Sequence, residues 1–224
     1  YIVRNPDGSQ TLDCRTHPKY AKRIYFAFLP IWWVCHFWDW LIADRFVPDL
    51  SFSLLTLTVY PDPDPETSTV DGRVSRNGVD EAWTTVRDGA GTDATPITAT
   101  SEFVAWTTST TSNQFARISR SIFLFDTSAL TANAVISAAV LSLRGTSKTD
   151  PQNNLPNIDI YTSTPASNTN LVNGDYNQVQ SVSQTGAPIT YANWTTSAYN
   201  DFTFDATGRS NVSKTAVSKF AARN

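Results

Sequence analysis

The chain has little of what enzymes and nucleic-acid-binding proteins use most. Its 224 residues include no Met, two Cys and two His, and every Cys and His lies before position 37. A Ser-His-Asp or Cys-His catalytic arrangement is therefore excluded from the rest of the chain. Charged residues make up 17% and the formal net charge is −3. This balance argues against a nucleic-acid backbone as a partner.

Other catalytic patterns are also missing or weak. The glycine-containing stretch DGAGTDAT at 88–95 lacks the Lys-Ser/Thr ending of a phosphate-binding loop. The available carboxylate pairs are Asp80 with Glu81 and Asp126 with Asp205, all at turns or strand ends, where structural Asp is common. Asp126 is expected to cap the turn that follows it. The sequence predicts a protein that is not an enzyme and that holds no cofactor.

What the chain does contain is alternation. The runs Phe115–Phe125 and Val135–Leu143, joined by DTSALTANA, alternate apolar with polar or small residues, as half-buried strands do. Ala82–Arg87 fits a short helical turn or a strand, and Lys214–Arg223 fits a helical turn that runs into a strand. Further strands are predicted at Ser51–Tyr60, Val70–Val74, Ser101–Thr108, Asn157–Thr162, Ile189–Trp194 and Asp201–Asp205.

Proline and turn residues suggest the domain boundaries. PDPDPE at 61–66 forces an extended backbone and predicts a stiff linker. We expect an N-terminal anchoring segment at 1–60 and a β domain at 67–224. The segment opens with a predicted hairpin, Tyr1–Val3 facing Thr11–Leu12, around the NPDG turn. The Tyr at position 1 and the lack of Met suggest a processed or truncated product.

An aromatic run at 24–42 leaves three interpretations open. It can be a transmembrane helix, a helix lying in a membrane interface or on a partner, or a helix packed on the β domain or on sister subunits. Pro30 and Asp39 interrupt the apolar character. The run predicts an assembly or anchoring role for its aromatic side chains, namely Trp32, Trp33, Phe37, Trp38 and Trp40.

The N-terminal fifth holds the candidate zinc ligands. Cys14, His17, Cys35 and His36 are residue types that zinc accepts, but adjacent Cys35 and His36 are poorly placed for a tetrahedral site. A disulfide between the two Cys is an alternative, and unliganded side chains are the default. The sequence predicts no metal.

The ordered segments SRSIFLFDTSAL, VISAAVLSLRG, NIDIYT, NDFTFDATG and SKFAARN, within 115–224, resemble DNRLRE-type and related carbohydrate-binding-module-like jelly rolls. They also resemble β-sandwich proteins predicted in tailed phages and uncultivated viruses. The resemblance implies a jelly-roll-like antiparallel β-sandwich. Together with the aromatic run, the sequence predicts a mainly β protein in which an N-terminal aromatic helical segment precedes the sandwich. The resemblance also implies a non-catalytic role in assembly, adhesion or glycan contact on an exposed surface.

The expected function is a structural protein of a virion or cell surface, extracellular in either case. It would self-assemble into an oligomer or filament, or join other surface proteins. The family pattern continues to a last strand that this chain lacks, so a strand from Ser51–Tyr60, or Tyr1–Val3 of a neighbouring subunit, is expected to fill the gap. The alternatives are a membrane-anchored extracellular domain, with membrane contact through 24–42, and a glycan-binding module.

For glycan binding, five aromatic residues of the β domain are candidates for stacking on sugar rings. Trp106, Trp194 and Tyr191 are the predicted ligand-binding residues, and Trp83 and Tyr199 complete the set. Trp106 and Trp194 are flanked by Thr or Asn, which can hydrogen-bond sugar hydroxyls. The competing interpretation of each ring is core or rim packing.

Overall fold

The structure is a computed structural model, and it describes residues 2–4, 10–12, 56–62, 65–96 and 104–224. The chain divides into two compact units, Tyr1–Leu55 and Thr56–Asn224. In the first unit, β1 (Ile2–Arg4) pairs antiparallel with β2 (Gln10–Leu12), with Ile2 opposite Leu12 and Val3 opposite Thr11. The predicted N-terminal hairpin is confirmed.

The second unit is mainly β and antiparallel. Its helical parts are short: α1 (Trp83–Asp88), α2 (Ala206–Ser210) and two 3-10 turns, Ser128–Leu130 and Asn173–Gln178. Its strands are β3 (Asp71–Glu81), β4 (Asp93–Pro96), β5 (Ala105–Thr108), β6 (Phe115–Asp126), β7 (Val140–Arg144), β8 (Asp159–Ser163), β9 (Val179–Ser183), β10 (Tyr199–Thr203) and β11 (Val217–Arg223).

Seven of these strands form a large sheet in the order β4-β3-β6-β11-β8-β9, and β5 also pairs with β6. β6 is long enough to pair with β3 along one edge and with β5 and then β11 along the other. The last strand of the chain, β11, lies between β6 and β8. The described strands of this sheet therefore leave no internal gap.

A small sheet of β7 and β10 packs against one face of the large sheet. Leu141 and Phe202 from the small sheet share a buried apolar cluster with Phe123, Ile160 and Phe220 of the large sheet. The alternation of β7 explains this, because Leu141 and Leu143 face inward while Ser142 and Arg144 face solvent. Two antiparallel sheets with a shared apolar core define a β-sandwich.

The opposite face of the large sheet is covered by α1 and by the 3-10 turn Asn173–Gln178. Val86 of α1 and Tyr176 of the turn are fully buried against Ile122 and Leu124 of β6. A buried Arg120 crosses this layer and donates to the carbonyl oxygens of Tyr176 and Arg87, at 2.6 and 2.8 Å. Large apolar side chains and a guanidinium thus fix the loop layer on the sheet.

The structure corrects several predicted strands. β6 is confirmed, and of the two alternatives for Ala82–Arg87 the structure shows the helix, at Trp83–Asp88. The second central strand starts at Val140 rather than Val135. Ile189–Trp194 is wrong as a strand, since only Ile189 makes an isolated bridge, to Ile158. Thr56–Tyr60, the described part of Ser51–Tyr60, is not a strand either.

Asp62, in the predicted linker, is bound closely to the chain that follows it. Its Oδ2 accepts the backbone N–H groups of Thr67 and Ser68, at 3.1 and 2.6 Å, and both of their hydroxyls. The Asp62 amide in turn donates to Thr69 Oγ1 at 2.9 Å. The start of the β domain is therefore locked by local hydrogen bonds.

The predicted helical aromatic segment, with Trp32, Trp33, Phe37, Trp38 and Trp40, lies outside the described residues. The same holds for Cys14, His17, Cys35 and His36.

Candidate functional site

The outer face of the small sheet is an exposed regular surface of the β domain. On it, Val140, Ser142 and Arg144 of β7 point away from the core. Tyr199, Asp201 and Thr203 of β10 share that face. Val140 is 56% exposed and Tyr199 is 61% exposed, so this face combines apolar surface with polar side chains.

Contacts across the two strands order this face. The Ser142 hydroxyl donates to Asp201 Oδ1 at 2.6 Å, and these two residues are directly opposite in register. At the end of the strands, the Arg144 guanidinium lies 5.9 Å from the centre of the Tyr199 ring. Cross-strand pairs of this kind stabilise a sheet by fractions of a kcal/mol each. These two cross-strand contacts order the side chains of the outer face of the small sheet.

Beyond that end of the sheet, Lys148 holds the 190–195 loop. Its Nζ donates to the carbonyl oxygens of Tyr191 and Trp194, at 2.9 and 3.0 Å, and lies 4.9 Å from the Tyr191 ring centre. Asn200, buried in β10, closes the loop by accepting from the Thr195 amide and donating to the Thr195 carbonyl oxygen. An ammonium group and a buried amide thus fix a loop that has no strand of its own.

The free edge of β7 is the second feature of this site. Among the residues that the structure describes, β7 pairs only with β10. Its five residues are in continuous register, without a bulge. An outermost strand of this kind presents unpaired amide and carbonyl groups to which another strand can bind.

The predicted sugar-stacking residues lie in three different places. Trp106 is half-buried in a cluster with Trp83 and Phe115, with ring centres 6.3 and 6.0 Å away. Trp194 is half-buried against the core between the sheets. The Tyr191 ring is half-buried and contacts Lys148. The structure does not bring these three together into one platform.

The more exposed aromatic rings of the predicted set are Tyr199, at 61%, and Trp83, at 37%. Sequence reasoning included both but ranked them below Trp106 and Trp194, because flanking Thr and Asn residues say nothing about which face a ring occupies. The free edge of β7 was missed altogether. The alternation of VLSLR predicts which side chains face inward, but no local signal marks a strand as outermost.

The candidate carboxylates have structural partners. Asp126 Oδ1 accepts from the Ser128 amide at 3.0 Å, which confirms the predicted turn cap. Hydrogen bonds from the Ser128 side chain and backbone hold the pKa of Asp126 below its ordinary value. Asp205 accepts from the Gly208 amide and begins α2. Glu81 pairs with Arg76 at 2.5 Å, and Asp80 accepts from Ser109.

The described ranges offer neither a metal site nor a membrane-spanning helix. No group of three or more His, Cys, Asp or Glu side chains in them is arranged to hold a metal ion. None of the helices in the same ranges has the length and apolar character that a membrane span needs.

Comparisons with protein-family models, with curated proteins and with solved structures gave no match to this chain.

Proposed function

We propose that this chain is a non-enzymatic structural protein of a virion or cell surface, which assembles into an oligomer or filament. The β-sandwich would be jelly-roll-like, and the N-terminal aromatic segment and strand complementation would connect the copies. The observation that carries this proposal is the open edge of β7 on a sandwich whose described carboxylates serve mainly to brace turns, loops and caps.

Strand complementation has two predicted donors in the sequence. Ile2 and Val3 already pair with β2 on one side, so a donor role for Tyr1–Val3 would use the other side of that hairpin. Thr56–Tyr60 belongs to no strand and includes a Tyr60 that is 76% exposed. Of the two, Thr56–Tyr60 is the better candidate because it takes part in no strand pairing among the described residues, whereas one side of Tyr1–Val3 is already paired with β2.

The test is the size of the native particle, measured by light scattering and electron microscopy of the full chain without and with mild detergent. Large ordered particles in plain buffer support the proposal. A chain that is soluble only in detergent supports the membrane-anchored alternative instead. A monomer in buffer at all concentrations contradicts assembly.

A paired variant tests the N-terminal segment. Replacing Trp38 and Trp40 together with Ser is expected to reduce particle size, because the segment would lose apolar surface for contacts between copies. The control is Val79→Ser, which changes an apolar residue of β3 that is 89% exposed and lies outside both that segment and the proposed strand donors. Particles of unchanged size in the double variant would exclude the segment from assembly.

The second candidate function is glycan contact, and the exposed Tyr199 ring favours it. Polar groups lie on the same face, with the Ser142 hydroxyl and the Asp201 carboxylate bonded to each other. Aromatic faces beside such groups are suited to sugar rings. Binding on a glycan array that is lost in Tyr199→Ala but kept in Trp106→Ala and Trp194→Ala would support this candidate. No binding by the unaltered chain would contradict it.

A further inference from the structure

The hydrogen bonds of the small sheet show which backbone groups of β7 face outward. The Gly145 amide donates to the Ala198 carbonyl oxygen at 3.1 Å, and the Phe204 amide donates to the Ala139 carbonyl oxygen at 3.0 Å. Hydrogen-bonded and non-bonded pairs alternate along an antiparallel ladder. With the observed register, Leu141 and Leu143 bond to β10. The amides and carbonyls of 140, 142 and 144 therefore point away from it.

The other outer strands of the β domain are less suited to pairing. β10 is the second outer strand of the small sheet, and its outward edge is covered at one end, because the Gly186 amide donates to the Thr203 carbonyl oxygen at 3.4 Å and Thr185 bridges Phe204. β4 has four residues and ends in Pro96, which has no amide hydrogen. The ladders of β5 with β6 and of β9 with β8 each contain a register irregularity. Prolines and bulges are the devices that protect sheet edges. β7 carries neither.

The sequence of β7 is nearly symmetric about its centre. Ser142 has a Leu on each side, and Ala139 and Gly145 are small residues at equal distances from it. A twofold interface requires a surface that is complementary to itself. When β7 lies antiparallel to a second β7 with Ser142 opposite Ser142, Leu141 of each copy lies opposite Leu143 of the other. The apolar inner row then continues across the interface, and half-buried Leu143 gains cover.

Hydrogen bonding and charge select the same register. With Ser142 at the centre, all three outward-facing residues of each copy are paired, which makes about six backbone hydrogen bonds. A register shifted by two residues would form fewer of these backbone hydrogen bonds. The two Arg144 side chains lie about 13 Å apart along the strands in this register. That separation exceeds a Debye length of about 10 Å, so their repulsion is weak.

We propose that β7 pairs antiparallel with β7 of a second copy about a twofold axis through Ser142, which joins two small sheets into one. This inference rests on the proposed assembly function, and it fills the β7 edge with β7 of the second copy in place of a donated segment.

Amide hydrogen exchange of the full chain, measured residue by residue at high and low concentration, tests the pairing. The amides of Val140, Ser142 and Arg144 are expected to exchange at least about 10-fold more slowly in the assembled sample than on dilution. The amides of Leu141 and Leu143 serve as internal controls, because they already bond to β10 and should change little.

Three results would overturn the pairing. Fast exchange of the outward amides in a sample that light scattering shows to be assembled would place the contact elsewhere and leave the proposed function intact. Slow exchange in the dilute monomer would mean that the chain covers its own edge. A monomer at every concentration would contradict both the pairing and the proposed function.

Ser142→Pro removes the central outward amide, and Ser142→Ala is its matched control. Both variants lose the hydroxyl that bonds to Asp201, but only proline lacks the amide hydrogen. We expect Ser142→Pro to self-associate more weakly than the unaltered chain, and Ser142→Ala to associate as the unaltered chain does. Slow amide exchange along β6 and β11 would show that the variant is folded. Equal association of the two variants would contradict the pairing. If Ser142→Pro fails to fold, the exchange experiment on the unaltered chain decides.

Discussion

At the scale of single residues, Asp62 shows how one carboxylate can organise a turn. Hydrogen bonds from the Thr67 side chain, and from the Ser68 backbone and side chain, hold the pKa of Asp62 far below its ordinary value of 3.8. A group with a lowered pKa stabilises the folded state above its unfolded-state pKa and loses that effect as the pH falls through its folded-state value.

We therefore expect Asp62→Asn to lower the urea midpoint of unfolding near pH 7. The difference from the unaltered chain should narrow as the pH falls below about 4, because the unfolded carboxylate is then protonated. Asp88→Asn is the control, since Asp88 is exposed and forms a surface ion pair with its neighbour Arg87, and such surface pairs contribute little to stability. If the urea midpoints of Asp62→Asn and the unaltered chain differed by the same amount down to about pH 2, the ionised Asp62 carboxylate would not be the source of the stability.

Arg120 is a second residue whose role depends on burial. It is 5% exposed, its guanidinium lies 4.0 Å from the Tyr176 ring centre, and burial lowers its pKa from the ordinary value. Arg120→Met leaves the carbonyls of Tyr176 and Arg87 without their donor and is expected to destabilise the fold by about 3 kcal/mol. Chemical denaturation measures this, and a loss under about 1 kcal/mol would show that water replaces the guanidinium.

At the scale of elements, β11 holds the large sheet together. It pairs on both sides, and Phe220 packs edge-on against Phe204 with ring centres 4.8 Å apart. Phe220→Ala should destabilise the domain by about 4 kcal/mol through the cavity that it leaves. Lys219→Ala on the same strand should cost less than about 1 kcal/mol. A similar loss of unfolding free energy in Phe220→Ala and Lys219→Ala would argue against a central role for Phe220.

The elements also show how far the sequence predicts the fold. β6 was predicted within one residue because its twelve residues combine strong β formers with clear alternation. Ile189–Trp194 was wrong because its apolar residues have no sheet partner beyond one bridge, and Lys148 and Asn200 hold the loop instead. Predictions of short strands were wrong where contacts between residues distant in sequence outweighed the local preference for a strand.

At the scale of the whole molecule, the low net charge bears on assembly. With a formal net charge of −3 and a pI of about 5.3, copies of the chain repel one another weakly. Contacts made by backbone hydrogen bonds and apolar side chains are insensitive to screening. We expect the particle mass from light scattering to stay constant between about 0.05 and 0.5 M NaCl. Dissociation on adding salt would indicate an ionic interface instead.

The sequence by itself determined the β class, the N-terminal hairpin, the long central strand and the turn cap at Asp126, because alternation and turn chemistry act over a few residues. The tertiary structure alone decided that β11 fills the centre of the large sheet, that Trp106 and Trp194 pack inward, and that β7 is an outermost strand among the described residues. Strand order and exposure are set by which apolar faces bury one another best, a property of the whole chain that no short stretch of residues contains.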